Sequence, residues 1–173
     1  MKFKTVAAAI TLVLGSVGVQ ATTTDWLVHD PLEFGVNFVN GVFTDWFKFT
    51  ISPNAQSVSS TAVANNLGNG IALNIVGGTY SLWSTVDTTL GNGDDVKLGG
   101  VWSFSGSSGN VTNSVLLVPG SYYYKVEGTG SGAFGGAYSL TSTTTPVPEP
   151  EAYAMMLAGL GALGFLALRR RSV

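Results

Sequence analysis

Between residues 22 and 145 the chain repeatedly alternates apolar and polar side chains with a period of two, the pattern of strands that bury one face. The clearest run is Phe43 to Ile51. Its odd positions are Phe43, Asp45, Phe47, Phe49 and Ile51, and its even positions are Thr44, Trp46, Lys48 and Thr50. This predicts a half-buried strand with one carboxylate on its apolar face. Ile71, Leu73 and Ile75 alternate in the same way, as do Tyr80, Leu82 and Val86, and then Val111, Val115 and Leu117. Pro119-Gly120 has the residues of a type II turn. It leads into Tyr122, Tyr124 and Val126 on one face, with Tyr123, Lys125 and Glu127 on the other. The glycine-rich stretch 128–136, carrying Phe134, reads as a flexible loop. A last strand near 137–141 points Tyr138 and Leu140 inward. Helical periodicity is missing from this region. Eight or nine short strands punctuated by Gly, Asn and Ser predict an all-β, antiparallel, jelly-roll-like sandwich.

The two ends follow other rules. Lys2 and Lys4 precede an apolar stretch, Val6 to Val19, and Val19-Gln20-Ala21 places small residues at the −3 and −1 positions of a cleavage site. This is the layout of a secretory signal peptide, residues 1–21, cut after Ala21. At the other end a Thr/Pro-rich linker, 141–150, contains Val147-Pro148-Glu149-Pro150. Prolines there favour an extended, accessible segment. Ala152 to Leu168 carries no charge, and Arg169-Arg170-Arg171 follows within the closing segment 151–173. Seventeen residues span roughly 25 Å as a helix, the short end of what crosses a bilayer. The arginines are expected to stay on the cytoplasmic side, leaving the proline motif outside.

Val147-Pro148-Glu149-Pro150, the apolar run 152–168 and Arg169–Arg171 together resemble the PEP-CTERM sorting domain. That resemblance implies an inner-membrane precursor processed by exosortase in Gram-negative bacteria that make exopolysaccharide and biofilm. The sortase pattern Leu-Pro-x-Thr-Gly is absent. Phe43-x-Asp45-x-Phe47 further resembles the signature of the FxDxF group of PEP-CTERM proteins. More distantly, Asp45-x-Phe47-x-Phe49, Leu117-x-Pro119-Gly120-x-Tyr122, Val126 and Gly136-x-Tyr138-x-Leu140 are similar to bacterial pre-peptidase C-terminal domains. Those are β-sandwich modules attached to secreted enzymes.

Charge sharpens this picture. Residues 22–145 hold eight acids against Lys48, Lys97 and Lys125, a net −5, and the other basic residues sit at the ends. An acidic middle offers no footprint for nucleic acid. The chain has no cysteine, which excludes disulfides, thiolate nucleophiles and Cys-based metal sites.

Candidate chemistry is sparse. Asp45 on an apolar face needs either hydrogen-bond donors or a cation; donation from backbone N–H groups of a neighbouring loop is the favoured reading, with Ca²⁺ the alternative. Asn92-Gly93-Asp94-Asp95 places Asp94 and Asp95 on a loop that reads first as a solvated turn and second as Ca²⁺ ligands. His29, the single histidine, reads as a surface or strand-edge residue, and no Gly-x-Ser-x-Gly elbow presents a serine to it. Trp46 faces away from Phe43 and Phe47, so it is the candidate ligand surface for polysaccharide, although burial is the plainer reading.

The expected protein is therefore an exported, non-enzymatic component of the cell envelope or extracellular matrix, structural or adhesive in biofilm. Exosortase and the inner membrane are its expected partners, exopolysaccharide a further candidate, and no cofactor is called for. A carbohydrate- or Ca²⁺-binding module is the alternative. A secreted hydrolase, which would have to recruit His29 or paired acids, stands behind both.

Overall fold

The computed structural model describes residues 20–69, 71–106, 111–147 and 150–171, and in the C-terminal helix the side chains of 153–163. The expected signal peptide up to residue 19 lies outside the described residues. The elements are β1 (Gln20–Val28), β2 (Leu32–Val39), β3 (Gly41–Ile51), β4 (Gln56–Ala64), β5 (Ile75–Thr85), β6 (Val96–Ser103), β7 (Asn113–Leu117), β8 (Gly120–Gly130), β9 (Gly136–Pro146) and α1 (Pro150–Arg171).

The strands form two sheets. One has the order β1-β3-β8-β5-β6 and the other β2-β9-β4-β7. The sandwich core lies between them. Phe43, Phe47, Phe49, Ile51, Tyr80, Leu82, Tyr122, Tyr124 and Val126 come from the first sheet, and Val58, Leu117, Tyr138 and Leu140 from the second. Each buried aromatic contributes roughly 1.5–3 kcal/mol by leaving water. Ring geometry adds to this: Phe49 stacks on Tyr122 at 5.8 Å, and Phe43 stacks on Tyr138 at 5.4 Å.

The run 43–51 forms β3 with its odd positions buried as the alternation predicts. Elsewhere the pattern is corrected. β1 runs parallel to β3, so the sandwich is not antiparallel throughout. Ile71 is exposed and the strand begins only at Ile75, while Val86 lies exposed beyond the end of β5. Val111 is exposed ahead of β7. Gly120 is not among the glycines with positive φ, so Pro119-Gly120 is not a type II turn. Here β7 and β8 belong to different sheets, and the dipeptide carries the chain over the sandwich edge instead of closing a hairpin.

The stretch 128–136 is also more ordered in its pairing than a flexible loop. β8 runs to Gly130 and β9 starts at Gly136. The turn between them is held by Ala133 N–H to the Ile71 carbonyl at 2.8 Å and Phe134 N–H to the Ala72 carbonyl at 2.9 Å. Glycine is required at 135 because its φ is +81° and a Cβ would sit 2.2 Å from the Val39 carbonyl oxygen.

β9 continues to Pro146, so much of the expected linker is strand, paired to β2 and β4. Pro150 opens α1, a position where its missing N–H leaves nothing unpaired. Among the described residues no helix is long and apolar enough to cross a membrane. The apolar run 152–168 continues past 163 into side chains outside them.

Candidate functional site

Asp45 sits on the inner face of β3 and is 1% exposed. Its Oδ1 accepts the Thr22 backbone N–H at 2.9 Å. Its Oδ2 accepts the Tyr138 hydroxyl at 2.6 Å and the Asn37 amide at 2.9 Å. The Asn37 amide also reaches the Tyr138 hydroxyl oxygen at 3.2 Å. β1 and β3 belong to one sheet, β2 and β9 to the other, so one carboxyl group ties both sheets together. Both of its oxygens are occupied by protein donors, which is how a buried carboxylate is made affordable. The Tyr138 hydroxyl has its pKa raised well above the usual phenol value, first by burial and then by the adjacent Asp45.

Phe43, Asp45 and Phe47 all converge on Tyr138. Phe43 stacks on its ring at 13°, Asp45 takes its hydroxyl, and Phe47 meets it edge-on at 84°. The Phe-x-Asp-x-Phe triplet is thus one face of a strand shaped around a single tyrosine.

His29 is buried, not a surface residue. Its Nε2 lies 2.8 Å from the Ser142 Oγ, and its Nδ1 meets the Asp30 carbonyl oxygen. The Tyr124 hydroxyl lies 3.0 Å from the same Ser142 oxygen. Burial lowers the His29 pKa against the opposing pull of Asp30, and burial raises that of Tyr124 to about 12. A serine beside a histidine has the polarity of a nucleophile–base pair. Here Ser142 has no exposed surface and Tyr124 closes the other side, so the serine hydroxyl is taken up in packing the interior polar cluster. Sequence reasoning missed this cluster because 113 residues separate His29 from Ser142.

The outer face of the first sheet is different in kind. The segment between β5 and β6 folds over it. Asp95 Oδ2 accepts Gly91 N–H at 2.7 Å, Asn92 N–H at 3.2 Å and the Tyr123 hydroxyl at 2.8 Å. Burial pulls the Asp95 pKa up, but donors including Tyr123 outweigh it and the pKa is lowered. Tyr123 stacks parallel to Trp83 at 6.2 Å, and Lys97 Nζ lies 5.7 Å above the Trp83 ring. Beside this cluster Trp46, Thr23, Lys48, Thr88 and Leu90 line a cleft of about 300 Å³. Among the described residues the buried Trp46 indole N–H has no partner.

The three acids considered for Ca²⁺ do not come together. Asp45 is inside the sandwich, whereas Asp94 and Asp95 lie on the outer segment. Among the described residues no group of three His, Asp or Glu side chains is placed to hold a metal ion.

Of the expected sorting-motif residues Val147, Pro148, Glu149, Pro150 and Arg169–Arg171, Val147 is the one whose side chain is described; its N–H reaches the Ala55 carbonyl at 3.4 Å. Pro148 and Glu149, and the side chains of Pro150 and Arg169–Arg171, lie outside the described residues. Ala21 sits in β1 opposite Thr44.

Residues 146–171 match the PEP-CTERM protein-sorting motif. This motif implies an exported protein, sorted to the cell surface and processed by exosortase. No curated protein matches the chain. Among solved structures, the chain is similar to the pre-peptidase C-terminal domain of collagenase from Bacillus anthracis. That match has 17% identity, covers 75% of this chain and 100% of that one, and has a TM-score of 0.40. It is also similar to PliG from Aeromonas hydrophila, a periplasmic inhibitor of g-type lysozyme, at 12% identity, covering 72% and 99% of the two chains, with a TM-score of 0.44.

Proposed function

We propose that this is a structural or adhesive protein of the cell envelope or biofilm matrix, in the FxDxF group of PEP-CTERM proteins, and that it is not an enzyme. The observation that carries the reading is continuity. The last core strand, β9, ends at Pro146, where the sorting motif begins. Processing in the tail therefore releases or transfers a domain whose core is already complete. In the precursor, 152–168 crosses the inner membrane and Arg169–Arg171 remain on the cytoplasmic side. In support, the described side chains Tyr153, Met155, Met156, Leu157, Leu160 and Leu163 of α1 are large, apolar and exposed, as a helix meeting lipid requires. The closed His29–Ser142 pair fits a non-catalytic role.

Intact-mass measurement of the protein recovered from envelope and medium tests this reading. The expected mature form lacks Arg169–Arg171 in cells that have exosortase. Native material that keeps the arginines in such cells would overturn it.

A second reading, carbohydrate binding, is favoured by the cleft at Trp46. An indole edge, the Lys48 ammonium and the Thr23 and Thr88 hydroxyls are groups that suit a polyhydroxylated ligand. Titration of the mature protein with purified exopolysaccharide should give heat that Trp46→Ala abolishes. Absence of heat with the native domain removes this reading.

A further inference from the structure

The donor to Asp45 Oδ1 is the backbone nitrogen of Thr22, the residue that follows Ala21. Ala21 is the small residue at which the export signal is expected to be cut. In the uncut chain this nitrogen is a neutral amide. Hydrolysis of the Ala21–Thr22 bond places the hydroxyl of water on the Ala21 carbonyl carbon and a proton on the Thr22 nitrogen. The resulting amine takes a second proton from solvent and becomes an ammonium.

We infer that removal of the signal peptide converts the Thr22–Asp45 hydrogen bond into an ion pair, so that the new N-terminus completes the clamp between the two sheets. This rests on the export reading and on a cut after Ala21.

Three observations carry it. First, the acceptor is already positioned: the Thr22 nitrogen lies 2.9 Å from Oδ1, at the distance of a charge-assisted bond. Second, the burial is one-sided. Asp45 is enclosed, whereas Thr22 is exposed on the edge strand β1. The ammonium keeps water on its other N–H groups and so escapes most of the desolvation that makes fully buried pairs unprofitable. Third, the other donors to Asp45 are neutral, a tyrosine hydroxyl and an asparagine amide. A buried carboxylate with neutral donors alone gains most from one cationic partner.

Cleavage also has a cost that the pair offsets. Gln20 and Ala21 stand opposite Phe43 and Thr44, and Gln20 Oε1 accepts the Asn40 N–H at 3.0 Å. Those rungs leave with the signal. β1 then starts at the residue anchored to Asp45.

The test uses the chain from Thr22 to Val173 in detergent, freed from a fusion partner so that Thr22 carries a free amine. It is compared with the same chain acetylated at Thr22, each in wild-type and Asp45→Asn form. The free amine should raise the melting temperature by roughly 4 °C over the acetylated chain, and Asp45→Asn should abolish that difference. A second readout, on the wild-type fold alone, guards against misfolding of the variant. An amine-acylating reagent should modify Thr22 at neutral pH about tenfold more slowly in the folded protein than in urea. Equal melting temperatures together with unprotected acylation overturn the inference while leaving the export reading intact. N-terminal sequencing of the exported protein separates the two: a start other than Thr22 overturns both the cleavage assignment and the ion pair.

Discussion

Tyr138 is where the physics of single residues is most exposed. Its ring is held between Phe43 and Phe47 and its hydroxyl serves Asp45. Replacing it with Phe keeps the packing and removes one donor from a buried carboxylate. Tyr138→Phe should therefore destabilise the domain by about 1–3 kcal/mol, read as a lower urea midpoint with an unchanged slope. His29 gives a pH signature. Burial lowers its folded pKa below the unfolded value, so the unfolded chain binds the proton first. The stability contribution of neutral His29 is full above the unfolded pKa of about 6.5. It is lost as the pH falls through the lowered folded value. Urea midpoints measured between pH 7.5 and pH 5 should fall on acidification, and His29→Gln should flatten the decline. The inward face of Phe43, Asp45 and Phe47 follows from alternation alone. The partner of Asp45 does not, because Tyr138 lies 93 positions away and no local pattern specifies so distant a donor.

At the scale of elements, β2 shows how packing overrules a binary pattern. Leu32, Phe34, Val36 and Phe38 point outward and are exposed, while Gly35 and Val39 point inward. By size alone the phenylalanines belong inside. The reason lies on the facing sheet: the Phe47 ring occupies the space above Gly35, where a Cβ would come within 2.3 Å of Cε1. The smallest residue of β2 is placed against a phenylalanine ring of β3. Gly35→Ala should accordingly cost about 1–3 kcal/mol through overpacking, seen as a lower melting temperature. Gly135→Ala combines positive φ with a backbone collision and should also lower the melting temperature, without altering a core side chain. Neither the inverted strand nor the β7–β8 crossover can be read from a period of two. That period fixes which residues share a face and leaves open which face is covered.

The whole molecule is a core joined to an address. Among the described residues the core cluster contains none from α1, and the described side chains of α1 are mostly exposed large apolar ones. A chain ending at Val147 should therefore keep the stability of the full chain to within about 0.5 kcal/mol, measured by thermal unfolding of both in the same detergent. Export and retention should change instead, which separates the folding of the domain from its delivery. The tail was readable because its signal is local and linear: proline-rich segment, apolar run and arginine cluster occur in order within 146–171. Strand content was readable because side-chain alternation is a property of consecutive residues. The burial of His29 against Ser142 was decided only when the two sheets closed, and the parallel pairing of β1 with β3, the meeting of Thr22 with Asp45 and the cleft at Trp46 only when β1 and the β5–β6 segment took their places on the first sheet. Each depends on contacts between residues far apart in the chain, and the free energy that selects them comes from packing and hydrogen bonding that no single segment contains.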